Sequence, residues 1–146
     1  MKHLLLATLL ITATLATATP TVDMTYEERV VALTILGEAR GEGYEGMYAV
    51  ACVIKQRAKE RKLTPSQVCL QRLQFSCWNG KKVSDLNKLF NSRSQATAVS
   101  LAKNLDTIDS TVVGNANHYH NTSVNPYWAD KSKVTKKIGN HIFYRL

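Results

Sequence analysis

Three carboxylates near a glycine-rich corner of the chain have the residue type and the spacing for acid–base chemistry. They are Glu38, Glu42 and Glu45, which stand among four glycines: Gly37, Gly41, Gly43 and Gly46. A glutamate on the last turn of a helix beside such a corner would be held rigidly and stay open to a large ligand, because glycine lets a ligand approach the backbone closely. The same spacing also fits an ordinary corner between two helices with solvated glutamates. The spacing alone does not decide between these interpretations.

Two helices must position these carboxylates. A capping box at Thr25–Glu28 and the apolar run Val30–Leu36 predict the first helix. It ends near Arg40, which places Glu38 on its last turn. The helical period resumes downstream and predicts a second helix from about Tyr44 to Lys62. Its apolar face belongs to the core, whereas its basic C-terminal end is expected to be exposed: Lys55, Arg57, Lys59, Arg61 and Lys62.

A polar and aromatic loop follows the third helix. That helix is predicted to begin at a second capping box, Thr64–Gln67, with Pro at its first position. The loop Gln74–Gly80 contains a Gln, a Ser and a Trp, which together can hydrogen-bond sugar hydroxyls and stack on sugar faces. The alternative places Phe75 and Trp78 in the core, and we favour the core for Phe75. A third capping box, Ser92–Gln95, predicts one more helix.

Two histidines flank a tyrosine in a segment that fits an extended chain. His118 and His120 would then lie on one side and Tyr119 on the other. An H-x-H pair can bind zinc with a carboxylate as third ligand, but the sequence defines no such ligand, so we favour hydrogen bonding in a cleft by His118 or Tyr119. Further on, Asn125–Trp128 brings two aromatics that fit a saccharide or the core equally well. Gly139–Asn140 predicts the two-residue turn of a β-hairpin.

The segment Gly37–Arg57 closely resembles the signature of the SleB-type cell wall hydrolases, the spore-cortex lytic enzyme family; it reads GEARGEGYEGMYAVACVIKQR. The resemblance covers about residues 24–146 and continues through four short motifs: Gln74–Ser76, Asn117–His120, Asn125–Trp128 and Ile138–Phe143. It implies cleavage of peptidoglycan glycan strands by a mainly α (α+β), lysozyme-like domain, related to lytic transglycosylases, with a small C-terminal β-hairpin. Glu38 matches the catalytic acid of the family.

The resemblance also suggests which residues bind the substrate. Gln74 and Ser76 fall on matching motifs and are expected in the cleft. His118, Tyr119 and Trp128 are expected to contact the glycan there as well. The activity that the resemblance implies needs no metal and no cofactor.

The chain departs from the family pattern at two features. Gln56 stands where relatives often have Asn before the Arg, which we interpret as a tolerated surface change, and the three cysteines are not part of the motif. Cys69 and Cys77 are close in sequence and are the favoured disulfide pair of an exported protein. Cys52 lies on the apolar side of the second helix and is expected to pack as a small buried residue.

A single well-matched acid, Glu38, favours a lytic transglycosylase over an ordinary glycosidase, which uses two carboxylates. Glu38 would protonate the oxygen between N-acetylmuramic acid (MurNAc) and N-acetylglucosamine (GlcNAc). It would then act as the base while the sugar's own 6-hydroxyl closes a 1,6-anhydro ring. One alternative is a metal amidase that cuts the peptide from the glycan with His118, His120 and a carboxylate. Another is a non-catalytic basic module that only binds the wall.

The composition indicates an exported basic protein. The chain has 146 residues, a formal net charge of +8 and a pI near 9.5, which suit an anionic polymer such as the bacterial wall. The sequence has no Lys/Arg-rich block of the kind that indicates nucleic-acid binding. We expect a monomer that binds glycan strands. Lys2, the apolar run Leu4–Ala16 and the A-x-A motif Ala16–Ala18 predict a signal peptide over residues 1–18, too short to span a membrane. Residues 19–146 would form one catalytic domain in the periplasm, the cell wall or the extracellular space.

Overall fold

Helices make up most of the fold, and a small sheet closes it. The computed structural model describes residues 23–146, so the predicted signal peptide lies outside the described residues. The α-helices of this part are α1 (Tyr26–Ala39), α2 (Gly43–Arg61), α3 (Pro65–Leu70), α4 (Val83–Leu86) and α5 (Gln95–Lys103). Short 3-10 helices cover Ser76–Trp78, Asn87–Asn91, Leu105–Thr107, Ser110–Val113 and Lys131–Lys133. The strands are β1 (His118–Asn121), β2 (Val134–Ile138) and β3 (His141–Tyr144), which confirms the mainly α (α+β) fold class. None of the helices in residues 23–146 has the length and apolar character to cross a membrane.

α1 is the central helix, and it is buried on nearly every side. Its residues from Val30 to Leu36 are all buried, because α2, α3 and α5 pack around it. The predicted capping box begins the helix: the Glu28 amide donates to Thr25 Oγ1 at 3.2 Å, and the Thr25 amide donates to Glu28 Oε2 at 2.8 Å. α1 ends at Ala39, so Glu38 lies on its last turn as predicted.

α2 begins within one residue of its predicted start and ends where Lys62 takes a left-handed conformation. Gly43 has a φ of 72°, so the corner between α1 and α2 uses the conformational freedom of glycine. The predicted exposure of the basic end is wrong for Arg57, which is 4% exposed. Gln56 is buried as well, so its interpretation as a surface change is also wrong. Arg57 lies one helical turn after Val53 and therefore on the apolar face of α2.

The second capping box forms, and the third does not. Within Thr64–Gln67 the two reciprocal hydrogen bonds measure 2.9 and 3.3 Å, and Pro65 is the first residue of α3. The predicted box at Ser92–Gln95 is wrong, because α5 begins with Ser94 as its N-cap residue and without a side-chain cap. The Ser94 hydroxyl instead donates to the carbonyl of Arg40 at 2.9 Å. It therefore holds the end of α1 rather than the start of its own helix.

The C-terminal sheet contains the predicted hairpin and one further strand. β2 and β3 are joined at Gly139–Asn140 as predicted, and β3 lies between its two antiparallel neighbours in the order β1-β3-β2. In this register Tyr119 is opposite Phe143, and His120 is opposite Ile142. The pairing with β3 brings β1 against the hairpin and close to the end of α1, where Tyr119 contacts Glu38.

All three cysteines are free thiols, so the predicted Cys69–Cys77 disulfide is wrong. Cys77 packs instead against Gly37 of α1, where an added Cβ atom would lie 2.5 Å from Cys77 Cβ. Cys52 and Cys69 are both fully buried, as expected for Cys52. Burial raises the pKa of each of these two thiols to about 12, so both stay protonated at neutral pH.

Candidate active site

A cleft of about 820 Å³ lies where the end of α1, the loop after α3 and the sheet meet. The six site residues that the sequence predicts all line it: Glu38, Gln74, Ser76, His118, Tyr119 and Trp128. These residues come from segments up to 90 positions apart, and β1 and the loop after α3 bring them to the end of α1. The remaining lining residues are Gly37, Arg57, Leu73, His120, Asn121, Val124, Tyr127 and His141.

Three hydrogen-bond donors hold the carboxylate of Glu38. The Tyr119 hydroxyl donates to Oε2 at 2.7 Å, and the Cys77 amide donates to Oε1 at 2.9 Å. The Ser76 hydroxyl donates to the same Oε1 at 3.3 Å. Glu38 is half-buried, so it is fixed by the fold and still faces the cleft. This geometry suits a group that exchanges a proton with a bound ligand.

Tyr119 is anchored by its ring and donates with its hydroxyl. The ring packs against Phe143 at 5.4 Å and against Phe75 at 6.4 Å between centroids. Burial, together with the nearby charge of Glu38, raises the pKa of Tyr119 well above its ordinary value. The phenol therefore stays protonated at neutral pH and remains a donor to Glu38.

Arg57 lines the cleft, although its charge at the basic end of α2 predicts exposure. Its Nε donates to the carbonyl of Asn117 at 2.6 Å, and its Nη1 donates to the carbonyl of Gln74 at 3.3 Å. The guanidinium also lies over the ring of Phe75, 5.0 Å from the centroid. Burial lowers the pKa of Arg57 to about 10, so the side chain is still a cation at neutral pH. Its helical spacing from Val53 was the signal that could have placed it inside.

His118 is a neutral histidine with a defined tautomer. Asn117 Oδ1 accepts from the amide of Leu146 at 3.0 Å, and Asn117 Nδ2 donates to the carbonyl of Leu146 at 2.8 Å, which fixes the orientation of the side-chain amide. His118 Nδ1, 2.9 Å from Asn117 Oδ1, must therefore carry the proton. Burial lowers the pKa of His118, and the positive charges of Arg57 and Arg61 lower it further. Nε2 is left as a hydrogen-bond acceptor.

His120 uses both ring nitrogens within the fold. Nδ1 lies 2.8 Å from the carbonyl of Asn121, so it donates there, and Nε2 accepts from the Tyr144 hydroxyl at 2.8 Å. A metal bound by His118 and His120 would need a ring nitrogen of His120, and both of these nitrogens already form hydrogen bonds. Within residues 23–146, no group of three or more His, Cys, Asp or Glu side chains is arranged to hold a metal ion.

The aromatic residues divide between the cleft and the core. Trp128 is half-buried in the cleft wall, with its ring 5.2 Å from His118 and 5.7 Å from His120, and Tyr127 is fully exposed at the same cleft. Trp78 instead lies in the core with Phe75, and its indole Nε1 donates to Thr34 Oγ1 at 2.9 Å. The alternative that places Trp78 and Phe75 in the core is therefore correct.

The other two carboxylates of the glycine-rich corner do not line the cleft. Glu42 binds the hairpin turn: its Oε2 accepts from the Asn140 amide at 2.9 Å, and its Oε1 accepts from Asn140 Nδ2 at 3.2 Å. The backbone hydrogen bond from Asn140 lowers the pKa of Glu42. Glu45 is exposed on the first turn of α2. Among the described residues that line the cleft, Glu38 is thus the one carboxylate.

The comparison with known families agrees with the resemblance of the motifs. The Cell Wall Hydrolase family model matches residues 41–144, a range that begins three residues after Glu38 and contains every cleft-lining residue from Arg57 to His141. No curated protein and no solved structure shows significant similarity to the chain, so the lysozyme-like relationship stays a prediction. The matched range covers most of the chain, and the chain therefore belongs to the SleB-type cell wall hydrolases, a family of peptidoglycan-degrading enzymes.

Proposed function

We propose that the protein is a lytic transglycosylase that cleaves the bond between MurNAc and GlcNAc in peptidoglycan, with Glu38 as its only catalytic acid and base. The observation that carries this proposal is the single carboxylate of the cleft. Hydrolysing glycosidases use two carboxylates that flank the scissile bond. Here Glu42, the next carboxylate along the chain, is bound to Asn140 in the hairpin turn.

Glu38 acts first as the acid. Its carboxyl proton passes to the glycosidic oxygen, the bond from that oxygen to C1 of MurNAc breaks, and GlcNAc leaves as an alcohol. The carboxylate that remains accepts hydrogen bonds from the Tyr119 hydroxyl, the Ser76 hydroxyl and the Cys77 amide. These preoriented donors stabilise the negative charge as it forms.

Glu38 acts next as the base. It takes the proton of the 6-hydroxyl of the same MurNAc, and that oxygen bonds to C1 to close the 1,6-anhydro ring. The proton given in the first step is thereby recovered, and no water is consumed. One carboxylate is sufficient for both steps, which is why its isolation in the cleft favours this reaction.

The remaining predicted site residues are proposed to bind the glycan. His118 offers an acceptor at Nε2, because its Nδ1 donates to Asn117. Gln74 and Ser76 offer an amide and a hydroxyl, and Trp128 offers an aromatic surface for the C–H face of a sugar. A largely preformed cleft with a few placed polar groups is typical of small-molecule and saccharide sites.

We also propose that residues 1–18 direct the protein out of the cytoplasm and that it acts as a monomer in the periplasm or the cell wall. The support is the predicted signal peptide and the substrate of the family, which lies outside the cytoplasmic membrane. The formal charge of +8 favours association with an anionic wall polymer.

The test is mass spectrometry of the products that purified protein releases from peptidoglycan. We expect anhydro-muropeptides from the wild type and from Glu45→Gln, a matched control outside the cleft, and none from Glu38→Gln. Ordinary reducing ends would contradict the transglycosylase and indicate a hydrolase. Free stem peptides would indicate the amidase, and binding without any release would indicate a wall-binding module.

A further inference from the structure

His141 is the cleft residue whose polar atoms remain unassigned. It is the first residue of β3, it is 5% exposed, and it lines the cleft. Its Nδ1 is enclosed without a hydrogen-bond partner, and no described residue forms a hydrogen bond with its ring. Since the enclosed Nδ1 cannot reach a ligand, the open question is what Nε2 binds.

Apart from Tyr127, which is fully exposed, the other titratable side chains of the cleft are engaged by the fold. Glu38 accepts from Tyr119, His118 bonds with Asn117, and His120 bonds with both Asn121 and Tyr144. The buried guanidinium of Arg57 donates to two backbone carbonyls. Against this background the imidazole of His141 is the exception.

The ring of His141 is held in one orientation by aromatic neighbours. It meets Tyr119 edge-on at 5.0 Å and Phe143 edge-on at 6.2 Å between centroids. Since Nδ1 is the enclosed nitrogen and the residue lines the cleft, Nε2 is the nitrogen that faces the cleft. Burial lowers the pKa of His141 although the charges of Glu42 and Glu38 oppose this, so the imidazole is neutral at pH 7.

We propose that His141 is a substrate-contacting residue whose Nε2 forms a hydrogen bond with the saccharide that lies beside Glu38. The ligand is a sugar hydroxyl or acetamido group of the glycan strand. The proposal rests on the proposed function only in taking the ligand to be a peptidoglycan saccharide. Tyr119 contacts both residues, because its hydroxyl donates to Glu38 and its ring packs against the ring of His141.

The test measures binding in the Glu38→Gln background, where no cleavage occurs. The probe is a peptide-free tetrasaccharide of alternating GlcNAc and MurNAc, and the readout is the dissociation constant by calorimetry. His141→Phe keeps a ring among its aromatic neighbours and removes both nitrogens. We expect it to raise Kd by about 10-fold or more, because a saccharide group is left without its partner.

Two further variants distinguish a contact at Nε2 from a structural role. The amide of a glutamine reaches about as far as Nε2, whereas that of an asparagine reaches only as far as Nδ1. We expect His141→Gln to stay within about 3-fold of the Glu38→Gln parent and His141→Asn to lose affinity like His141→Phe. Melting temperatures measured on each variant separate lost contacts from lost folding.

Each outcome bears on a different proposal. Unchanged affinity in His141→Phe, or equal losses in the Gln and Asn variants, would overturn the role of His141 and leave the transglycosylase intact. Failure of Glu38→Gln itself to bind the tetrasaccharide would contradict both proposals. Wild-type products with ordinary reducing ends would contradict the transglycosylase alone, because the binding measurement does not depend on the reaction.

Discussion

Replacing Tyr119 by Phe tests whether the hydrogen bond at Oε2 of Glu38 supports catalysis. The change deletes one donor, 2.7 Å from the carboxylate, and keeps the ring that packs against Phe75 and Phe143. A hydrogen bond to a charged group contributes about 1.5 to 3 kcal/mol, which corresponds to roughly 10- to 150-fold in rate. Two donors remain on Oε1, so we expect the lower end, a fall of about 10-fold in kcat/KM.

The assay is the initial rate of anhydro-muropeptide release from purified peptidoglycan. The matched control is Tyr144→Phe, which removes a phenol hydrogen bond of 2.8 Å from the same sheet, directed at His120 instead of Glu38. We expect this control to stay within about 3-fold of the wild type. The reasoning is refuted if Tyr119→Phe keeps full activity, or if both variants lose activity equally, since the effect would then come from the sheet and not from Glu38.

Three other predictions concern stability and chemistry. Glu42→Gln should lower the free energy of unfolding by less than about 1 kcal/mol at neutral pH, because the pair with Asn140 is exposed. The pKa of Glu42 is lowered in the folded state, so the destabilisation caused by Glu42→Gln should vanish as the pH falls through that pKa. Urea titrations at several pH values measure this destabilisation, and a value that does not change with pH would contradict the role of the carboxylate. Gly37→Ala should destabilise the protein by about 1 to 3 kcal/mol in the same assay, since its methyl would lie 2.5 Å from Cys77 Cβ; an unchanged unfolding midpoint would contradict this packing. Exhaustive chelation should leave the release of glycan fragments unchanged, and loss of activity that zinc restores would favour the metal amidase.

Features fixed by neighbouring residues could be predicted from the sequence. The capping boxes at Thr25–Glu28 and Thr64–Gln67 join groups three positions apart, and both form. The turn at Gly139–Asn140 is equally local and was placed correctly. The box at Ser92–Gln95 does not form, because α5 begins two residues later than predicted, with Ser94 as its N-cap residue. The Ser94 hydroxyl donates to the distant carbonyl of Arg40, a partner that local pattern does not reveal.

Features that depend on distant partners could not be predicted. Arg57 was placed on the surface because of its charge, and its burial becomes possible only through the carbonyls of Gln74 and Asn117. His141 was overlooked, because a histidine without a partner is recognisable only when its surroundings are known. Gln74 and Ser76 are predicted in the cleft through the resemblance of their motifs, which carries information on long-range structure that periodicity lacks.

The hydrogen bonds of Glu38 also have a consequence for the order of folding. Its partners lie 38, 39 and 81 positions further along the chain. α1 can form early from local contacts, but the carboxylate of Glu38 is fully oriented only after the longest of these loops closes and the sheet docks. Partly folded molecules therefore contain the helix without an oriented Glu38 carboxylate. If Glu38 acts as proposed, the protein acquires the ability to cut its polymer at the end of folding, and under mild denaturation it should lose that ability before it loses its helices.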